Sequence, residues 1–472
     1  MKDQYDLIVI GSGPAGEKAA VKAAYHGYSV AVVEKNTRFG GAGTNTGTLP
    51  SKTLKETALY YSGFYEKGLF GVDKELERSA NAQDFFFRKN QVVDSQEEGI
   101  EKNFRLHGID TFHGAGKLLG PNKAGITGKD NCELNGKFIL VATGSYPFQP
   151  EGIPFDGCYV HDSDTILQIN RIPKSIVIVG AGVIGCEYAT IFSVMGSNVK
   201  LVNSREEILT FLDREICHAL QDQMKEDGVD FIFGNRVEDV AILPEEHEHN
   251  VHAKLTNGEP LQADMFLYAA GRSGCSAGLG LEEVGVELGK RGTIVVDQSY
   301  RTAVPSVFAV GDIIGFPSLA STGMDQGRVA VTHMFGLHEI EKISEHFPYG
   351  IYTIPEVSVF GITEDEAIEQ EIPHVIGRAK YTDMPRGKIM GVDEGLLKII
   401  VEKHTRTILG VHIFGKIATE LIHYGMSLVE NRETLSDVIS RVYNTPTLHE
   451  LYKYAAYNAL IEGHYLDKPT GH

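Results

Sequence analysis

An α/β fold built from two copies of one strand–turn–helix–strand unit, closed by an α+β domain, is what this sequence predicts. Three observations carry it. Turns of the form GxGxxG follow short apolar runs at 11–16 and again at 180–185. From the first glycine of each turn to the polar residue that ends the next strand, Glu34 or Asn203, is 23 positions in both copies. After Phe347 the pattern changes to strand-like runs alternating with amphipathic helices, with no glycine-rich loop.

In the first copy, Tyr5-Asp6-Leu7-Ile8-Val9-Ile10 is a β-branched apolar run and reads as a buried parallel strand. Gly11-Ser12-Gly13-Pro14-Ala15-Gly16 follows and opens an Ala-rich helix expected over 17–26. Gly11 permits the tight turn, Gly13 lets backbone approach a diphosphate, and Gly16 lets helix pack on strand. A second apolar run, 28–33, ends in Glu34, whose carboxylate suits a ribose hydroxyl. A lone GxGxxG is weak evidence, but here the strand, the helix and the acid all stand in place. The motif therefore predicts a dinucleotide site, with the diphosphate on free N–H groups at the helix N-terminus.

The second copy repeats this: a strand over 175–179, Gly180-Ala181-Gly182-Val183-Ile184-Gly185, a helix through Met195, and a strand 198–202 ending at Asn203. Both copies close alike. Asn135-Gly136 and Asn257-Gly258 read as type I′ hairpin turns. Each leads to a strand running into small residues, Ala142-Thr143-Gly144 or Ala269-Ala270-Gly271, which lets backbone come close to a nucleotide. Pro147, Pro150 and Pro154 mark the linker between the copies. A related strand, 306–310, ends in Gly311-Asp312, an acid placed for a ribityl or phosphate-bearing cofactor. Beyond 347, strands are expected at 350–353, 396–401 and 408–414, and helices at 417–430 and 449–462.

Composition narrows the function classes. The chain has 472 residues, enough for two to four domains, and its 42% hydrophobic and 23% charged content is that of a soluble globular protein. No apolar run is long enough to span a membrane. The first strand begins by Tyr5, so no leader peptide is expected. The five cysteines (132, 158, 186, 217 and 275) are odd in number and form no CxxC pair, which points to a reducing cytosol and a cytoplasmic protein. A formal charge of −19 argues against nucleic acid or an anionic membrane as partner.

The first copy is interrupted by Gly40-Gly41-Ala42-Gly43-Thr44-Asn45-Thr46-Gly47-Thr48-Leu49-Pro50-Ser51-Lys52 and a helix running past Leu59. With GSGPAG and Glu34, VATG, GAGVIGCEY, AAGR and VFAVGD, this segment makes the chain resemble the two-dinucleotide-binding-domain flavoproteins of the lipoamide dehydrogenase and glutathione reductase family. The resemblance spans nearly the whole length. It implies two Rossmann-like domains, one for FAD and one for NAD(P), and a C-terminal α+β dimerisation domain. The corresponding boundaries are 1–148 (first part of the FAD domain), 149–275 (NAD(P) domain), 276–346 (remainder of the FAD domain and central part) and 347–472 (dimerisation).

The departures from the family are informative. Its disulfide reductases carry a CxxxxC pair in this segment, where this chain has Gly43 and Thr48. Their C-terminal His-Pro-Thr-x-x-Glu becomes Thr445-Pro446-Thr447-Leu448-His449-Glu450, with His449 out of register and expected to be a surface or packing residue. Without a thiolate and its proton partner, dithiol–disulfide exchange has no route. Within the family, Ile351–Glu356, Pro317–Ser321, Asp325–Arg328 and Asn203-Ser204-Arg205 are similar to the branch that moves hydride between NAD(H) and NADP(H). That resemblance implies an FAD-dependent NAD(P)+ transhydrogenase working through flavin N5, with nicotinamide nucleotides as substrates and a homodimer as assembly. An NAD(P)H:quinone or dye reductase, and a non-enzymatic redox-sensing flavoprotein, are the competing readings.

Lys52 and Glu187 match the family's ion pair beside flavin N5 and are the catalytic candidates; alone, they would pass for a helix-end lysine and a solvated glutamate. The cofactor-binding set implied is Gly11, Gly13, Pro14, Ala15, Gly16, Glu34, Lys35, Gly43, Thr48, Lys52, Ala142, Thr143, Gly144, Gly311, Asp312 and Ala320 for the first unit. For the second it is Gly180, Gly182, Val183, Ile184, Glu187, Asn203, Ser204, Arg205, Gly271 and Arg272. Asn203 carries no charge to exclude a 2′-phosphate, and Arg205 can reach one, so both nucleotides are expected to be accepted. Arg272 reads either as a phosphate contact or as a strand-end cap. His247, His249 and His252 have metal-like spacing but sit in a polar run without cysteine, so a solvated loop is expected and no metal. Cys186 reads as a packing residue.

Overall fold

The computed structural model describes residues 2–65, 69, 81–244, 247, 249–344 and 346–466. In the first unit, strands Asp110–His113, Val30–Glu34, Gln4–Ile10 and Cys132–Val141 lie side by side in parallel. Leu7 to Ile10 and all of Val30–Glu34 are buried, because both faces are covered, one by the helices Pro14–Tyr25 and Ala82–Leu106 and the other by the strands Ala115–Gly120 and Lys123–Thr127, and this is why these strands read as unbroken apolar runs. The helix Pro14–Tyr25 starts three residues before the expected position: Gly13 caps it, and Pro14 fits the first turn, where its missing N–H costs nothing.

The sheet overturns one expectation. Asn135-Gly136 is not a turn but lies inside the continuous strand Cys132–Val141, paired in register with Gln4 and Tyr5. The chain reverses earlier, at Gly128–Asn131, where Asn131 Nδ2 donates to the Gly128 carbonyl at 2.9 Å. Gly136 is needed for room instead: a Cβ there would stand 2.9 Å from Ile8 Cδ1. The first part of this strand pairs antiparallel with Lys123–Thr127, and its last part pairs in parallel with Val307–Ala309. That brings Gly311-Asp312 back to the end of the first unit.

In the second unit five parallel strands run in the order Val229–Ile232, Asn198–Val202, Ser175–Val179, Met265–Tyr268, Val160–Asp162. Asn257-Gly258 does turn a hairpin, between Val251–Leu255 and Pro260–Ala263, with Gly258 at φ +88°. The terminal part is an antiparallel five-stranded sheet, in the order Tyr349–Ile351, Val357–Gly361, Ile408–Phe414, Leu396–Glu402, His374–Lys380. Helices Ala418–Glu430 and Glu450–Leu466 pack on it. A cluster of buried charge joins this sheet to the second unit. Lys398 Nζ lies 2.9 Å from Asp213, 3.0 Å from Glu215 and 2.5 Å from Glu364, and Arg378 clasps Glu215 at 2.8 and 2.9 Å. Among the described residues, no helix is long and apolar enough to cross a membrane.

Candidate functional site: two nucleotide cradles and a bridging ion pair

The two glycine-rich turns have one geometry. Gly11 and Gly180 both sit at φ +103°, a region open to glycine, and a Cβ on either would run into the carbonyl of Ala142 or Ala269 on the neighbouring strand. Gly16 and Gly185 let the helix settle onto the turn, since a Cβ would lie 2.1 Å from the Gly11 oxygen or 1.8 Å from the Gly180 oxygen. Gly13 and Gly182 cap their helices in extended conformation and face open space: a Cβ on Gly13 would meet only Gly41 Cα at 3.9 Å, and one on Gly182 nothing within 4 Å. Beyond each cap the first-turn N–H groups, at Ala15 and Gly16 and at Val183 and Ile184, have no partner inside the helix. Open backbone, free donors and the positive end of a helix dipole fit a diphosphate in both places.

The acid and the amide that end the second strands occupy matching positions. Glu34 is buried; it accepts from Ser12 N at 3.1 Å, Ser12 Oγ at 2.6 Å and Asn36 N at 2.9 Å. Asn203 Oδ1 accepts from Ala181 N at 3.4 Å, the counterpart of the Ser12–Glu34 bond. Its Nδ2 donates to the carbonyls of Arg205 (3.2 Å) and Glu207 (3.0 Å), so the side chain shapes the turn that presents Ser204 and Arg205 to solvent. Arg205 Nη1 rests on Thr210 Oγ1 at 2.8 Å. Lys35 is exposed and lines a cleft of about 300 Å³ with Asn36, Thr37, His113 and Gly114, next to Glu34.

The interrupting segment folds as a short helix, Gly41–Asn45, and a long one, Thr48–Ser62. Ser12, which no motif singles out, accepts at Oγ from Gly40 N at 3.1 Å and ties this segment to the first turn. Gly43 faces Pro14: a Cβ would lie 2.8 Å from Pro14 Cγ, so the site is packed for glycine. Thr48 is exposed at the start of the long helix. None of the five free cysteines falls in residues 40–52. Cys186 is fully buried, and burial pushes its thiol up, as suits a packing residue.

Lys52 and Glu187, 135 positions apart, are in direct contact. Lys52 Nζ lies 2.7 and 2.6 Å from the two carboxylate oxygens. Glu187 is almost wholly buried, while Lys52 keeps about a quarter of its side chain (24%) open. The Tyr352 N–H donates to Glu187 Oε1 at 3.0 Å, and the Tyr352 ring centroid lies 4.9 Å from Lys52 Nζ. Both units and the terminal sheet therefore meet at this pair.

Thr143 Oγ1 donates to the Cys275 carbonyl at 2.9 Å, and Gly144, at φ +70°, faces open space. Asp312 accepts from Ser145 Oγ at 2.8 Å, and the Gly311 N–H donates to Gln326 at 2.8 Å. Ala320 begins the helix Ala320–Phe335, which packs on Pro14–Tyr25. Gly271, at φ +119°, faces the Arg291 guanidinium. Arg272 spends its donors on protein: Nε on Ser145 Oγ (2.8 Å), Nη2 on the Ser145 carbonyl (2.9 Å) and Nη1 on Ser163 Oγ (3.2 Å). Of its two readings these contacts favour the strand-end clamp, here one that joins the two units. His249 pairs with Asp264 at 3.1 Å, and His252 meets Gln262 across the hairpin. Thr445 Oγ1 donates to Glu450 at 2.9 Å, and His449 is exposed, stacked on Tyr452.

Two glycine-rich cradles of one geometry, with an ion pair that joins their two units, define a class. A pyridine nucleotide-disulphide oxidoreductase model matches residues 5–327 and the dimerisation domain of the same family matches 347–456, and the chain belongs to that family of oxidoreductases. It is 38% identical over 460 residues, 97% of each chain, to the soluble pyridine nucleotide transhydrogenase of Mycobacterium bovis. It is 39% identical over 459 residues, 96% of this chain and 98% of the other, to the enzyme of that name from Marinomonas sp.. Among solved structures it resembles LpdA from Mycobacterium tuberculosis, with a TM-score of 0.88 at 25% identity over 96% of this chain and 99% of that one. The flavoprotein disulfide reductase RclA from Escherichia coli aligns with a TM-score of 0.86 at 25% identity over 96% and 99%.

Proposed function

We propose that the protein is an FAD-dependent transhydrogenase that moves hydride between NADPH and NAD+ without a redox disulfide. The observation that carries this is the Lys52–Glu187 contact between two dinucleotide cradles, in a segment with no cysteine. Bound FAD would supply a two-electron centre at N5, able to take hydride from one nicotinamide and return it to another.

The chain's own residues do the rest. Gly11 to Gly16, Glu34 and Lys35 would hold the FAD diphosphate and ribose; Gly43, Thr48, Ala142 to Gly144, Gly311, Asp312 and Ala320 would line its length. Gly180 to Ile184 would take the diphosphate of the nicotinamide nucleotide. Lys52, its orientation fixed by Glu187, places a positive charge in a poorly hydrated position, where it favours the negative charge of a reduced flavin. Glu187 is desolvated but keeps its charge compensated by Lys52 and the Tyr352 N–H. Asn203 and Arg205 give the second cradle a contact for a ribose hydroxyl or a 2′-phosphate and exclude neither. The matched dimerisation domain supports a homodimer formed through residues after about 347; in that assembly Thr445 and Glu450 would approach the partner's flavin. Exposed Val442, Tyr454, Tyr457 and Ile461 give that surface an apolar face.

Steady-state assays separate the readings. NADPH with a thio-NAD+ acceptor should turn over faster than NADPH with quinones, while dihydrolipoamide and glutathione disulfide should give no turnover above free flavin. Faster quinone reduction with no thio-NADH formed would favour the reductase reading.

A further inference from the structure

The helix that carries Lys52 presents a second lysine one turn later. Lys55 is 3% exposed and forms an ion pair with Glu356, itself 9% exposed and 301 positions away. Lys55 also lies 3.4 Å from the exposed Glu56. The other oxygen of Glu356 accepts from Thr419 N at 3.1 Å and Thr419 Oγ1 at 2.7 Å, so the carboxylate is fully engaged. Such a pair is seldom more stable than apolar residues of the same volume, so its place in the fold calls for another reason.

That reason is Tyr352. The Tyr352 ring is near both lysines, with Lys52 Nζ 4.9 Å and Lys55 Nζ 5.8 Å from its centroid. Its N–H holds Glu187, and two residues on the Ile354 N–H donates to Thr190 Oγ1 at 3.2 Å. Thr190 is on the same helix as Glu187, so segment 352–356 is clipped to that helix at one end and to Lys55 and Thr419 at the other. The Glu187 carboxylate can hold Lys52 in one orientation only while this segment stays in place.

We propose that Lys55 and Glu356 are positioning residues for hydride transfer: they fix Tyr352, which in turn sets the Lys52–Glu187 pair. The inference rests on the role assigned to Lys52 above. Neither residue contacts the glycine cradles, so both act through Tyr352.

The test is the flavin midpoint potential of the FAD-loaded protein, with its visible spectrum. Lys55→Met/Glu356→Leu removes both charges and leaves the net charge unchanged. It should weaken stabilisation of the reduced flavin about tenfold, a shift of about −30 mV for a two-electron couple. Lys55→Arg should restore the wild-type value. Lys398→Met, which breaks the other buried charge cluster, should lower stability and leave the potential alone. If the double variant does not retain flavin, Lys55→Gln/Glu356→Gln, which also leaves the net charge unchanged and keeps an acceptor for Thr419, should shift the potential the same way. A wild-type potential in these variants, with a shifted one in Lys52→Met, would overturn the proposal alone. A wild-type potential in Lys52→Met as well would overturn the role of Lys52 on which it rests. An equal shift in Lys398→Met would reduce the effect to general loosening and overturn it too.

Discussion

Among single residues, Lys52 and Asn203 carry the proposed transfer and cofactor-choice roles. Lys52→Met removes the cation paired with Glu187 and leaves a desolvated carboxylate beside the proposed transfer site. We expect kcat to fall about a hundredfold, the order seen when a preorganised charge-stabilising donor is removed, with FAD retained. A variant with kcat within twofold of wild type would contradict the role. Asn203 is held more firmly than a nucleotide contact requires, because its amide supports the turn carrying Arg205. Asn203→Glu both loses those donations and adds a charge that repels a 2′-phosphate. It should cut kcat/KM for NADPH by at least about tenfold, about 1.4 kcal/mol, while sparing NADH. Arg205→Ala should move the preference the same way. An unchanged NADPH/NADH ratio in both variants would remove these two residues from the specificity argument.

At the scale of elements, the helix Arg214–Glu226 ends on an ill-placed acid. Asp227 caps its C-terminus, where the helix dipole disfavours negative charge; Oδ1 accepts from Gln223 at 3.1 Å, and Oδ2 is buried with no partner among the described residues. Burial pushes its carboxyl up to about 6, from 3.8. With the folded value raised, the unfolded chain ionises first, so the fold loses stability as pH rises from about 4 to about 6 and the penalty is constant above that. Asp227 is partly solvated, so the loss is on the order of 1 kcal/mol. Asp227→Asn should raise Tm above pH 6 and lose that advantage near pH 4; a pH-independent difference would contradict the reading. The elements were unequally legible. The repeated strand–turn–helix units could be read from the residues because both sheet faces are covered, leaving unbroken β-branched runs. Asn135-Gly136 misled because its glycine answers a tertiary need, room for Ile8, rather than a turn. Strand His374–Lys380 was hidden by Gly377, which is required where the last helix crosses: a Cβ there would lie 2.2 Å from the Ala455 oxygen. Lys52 and Glu187 were legible through their motifs, whereas Lys55 and Glu356 become partners only when the terminal sheet folds against the long helix.

For the whole molecule, the terminal part brings Tyr352 to the Lys52–Glu187 pair and locks to the second unit through Lys398, Asp213, Glu215 and Glu364. Its sheet and last helix carry the surface assigned to dimer formation. Sedimentation should show a dimer at assay concentration, and a fully active monomer would remove that element. The central claim is that hydride moves between nucleotides with a flavin as the only redox centre, and an anaerobic titration tests it most directly. Purified protein should be bleached completely by one equivalent of NADPH per flavin, and one equivalent of thio-NAD+ should restore the oxidised spectrum while forming one thio-NADH. Uptake of two equivalents per flavin, or a bleached flavin that thio-NAD+ does not reoxidise, would contradict it.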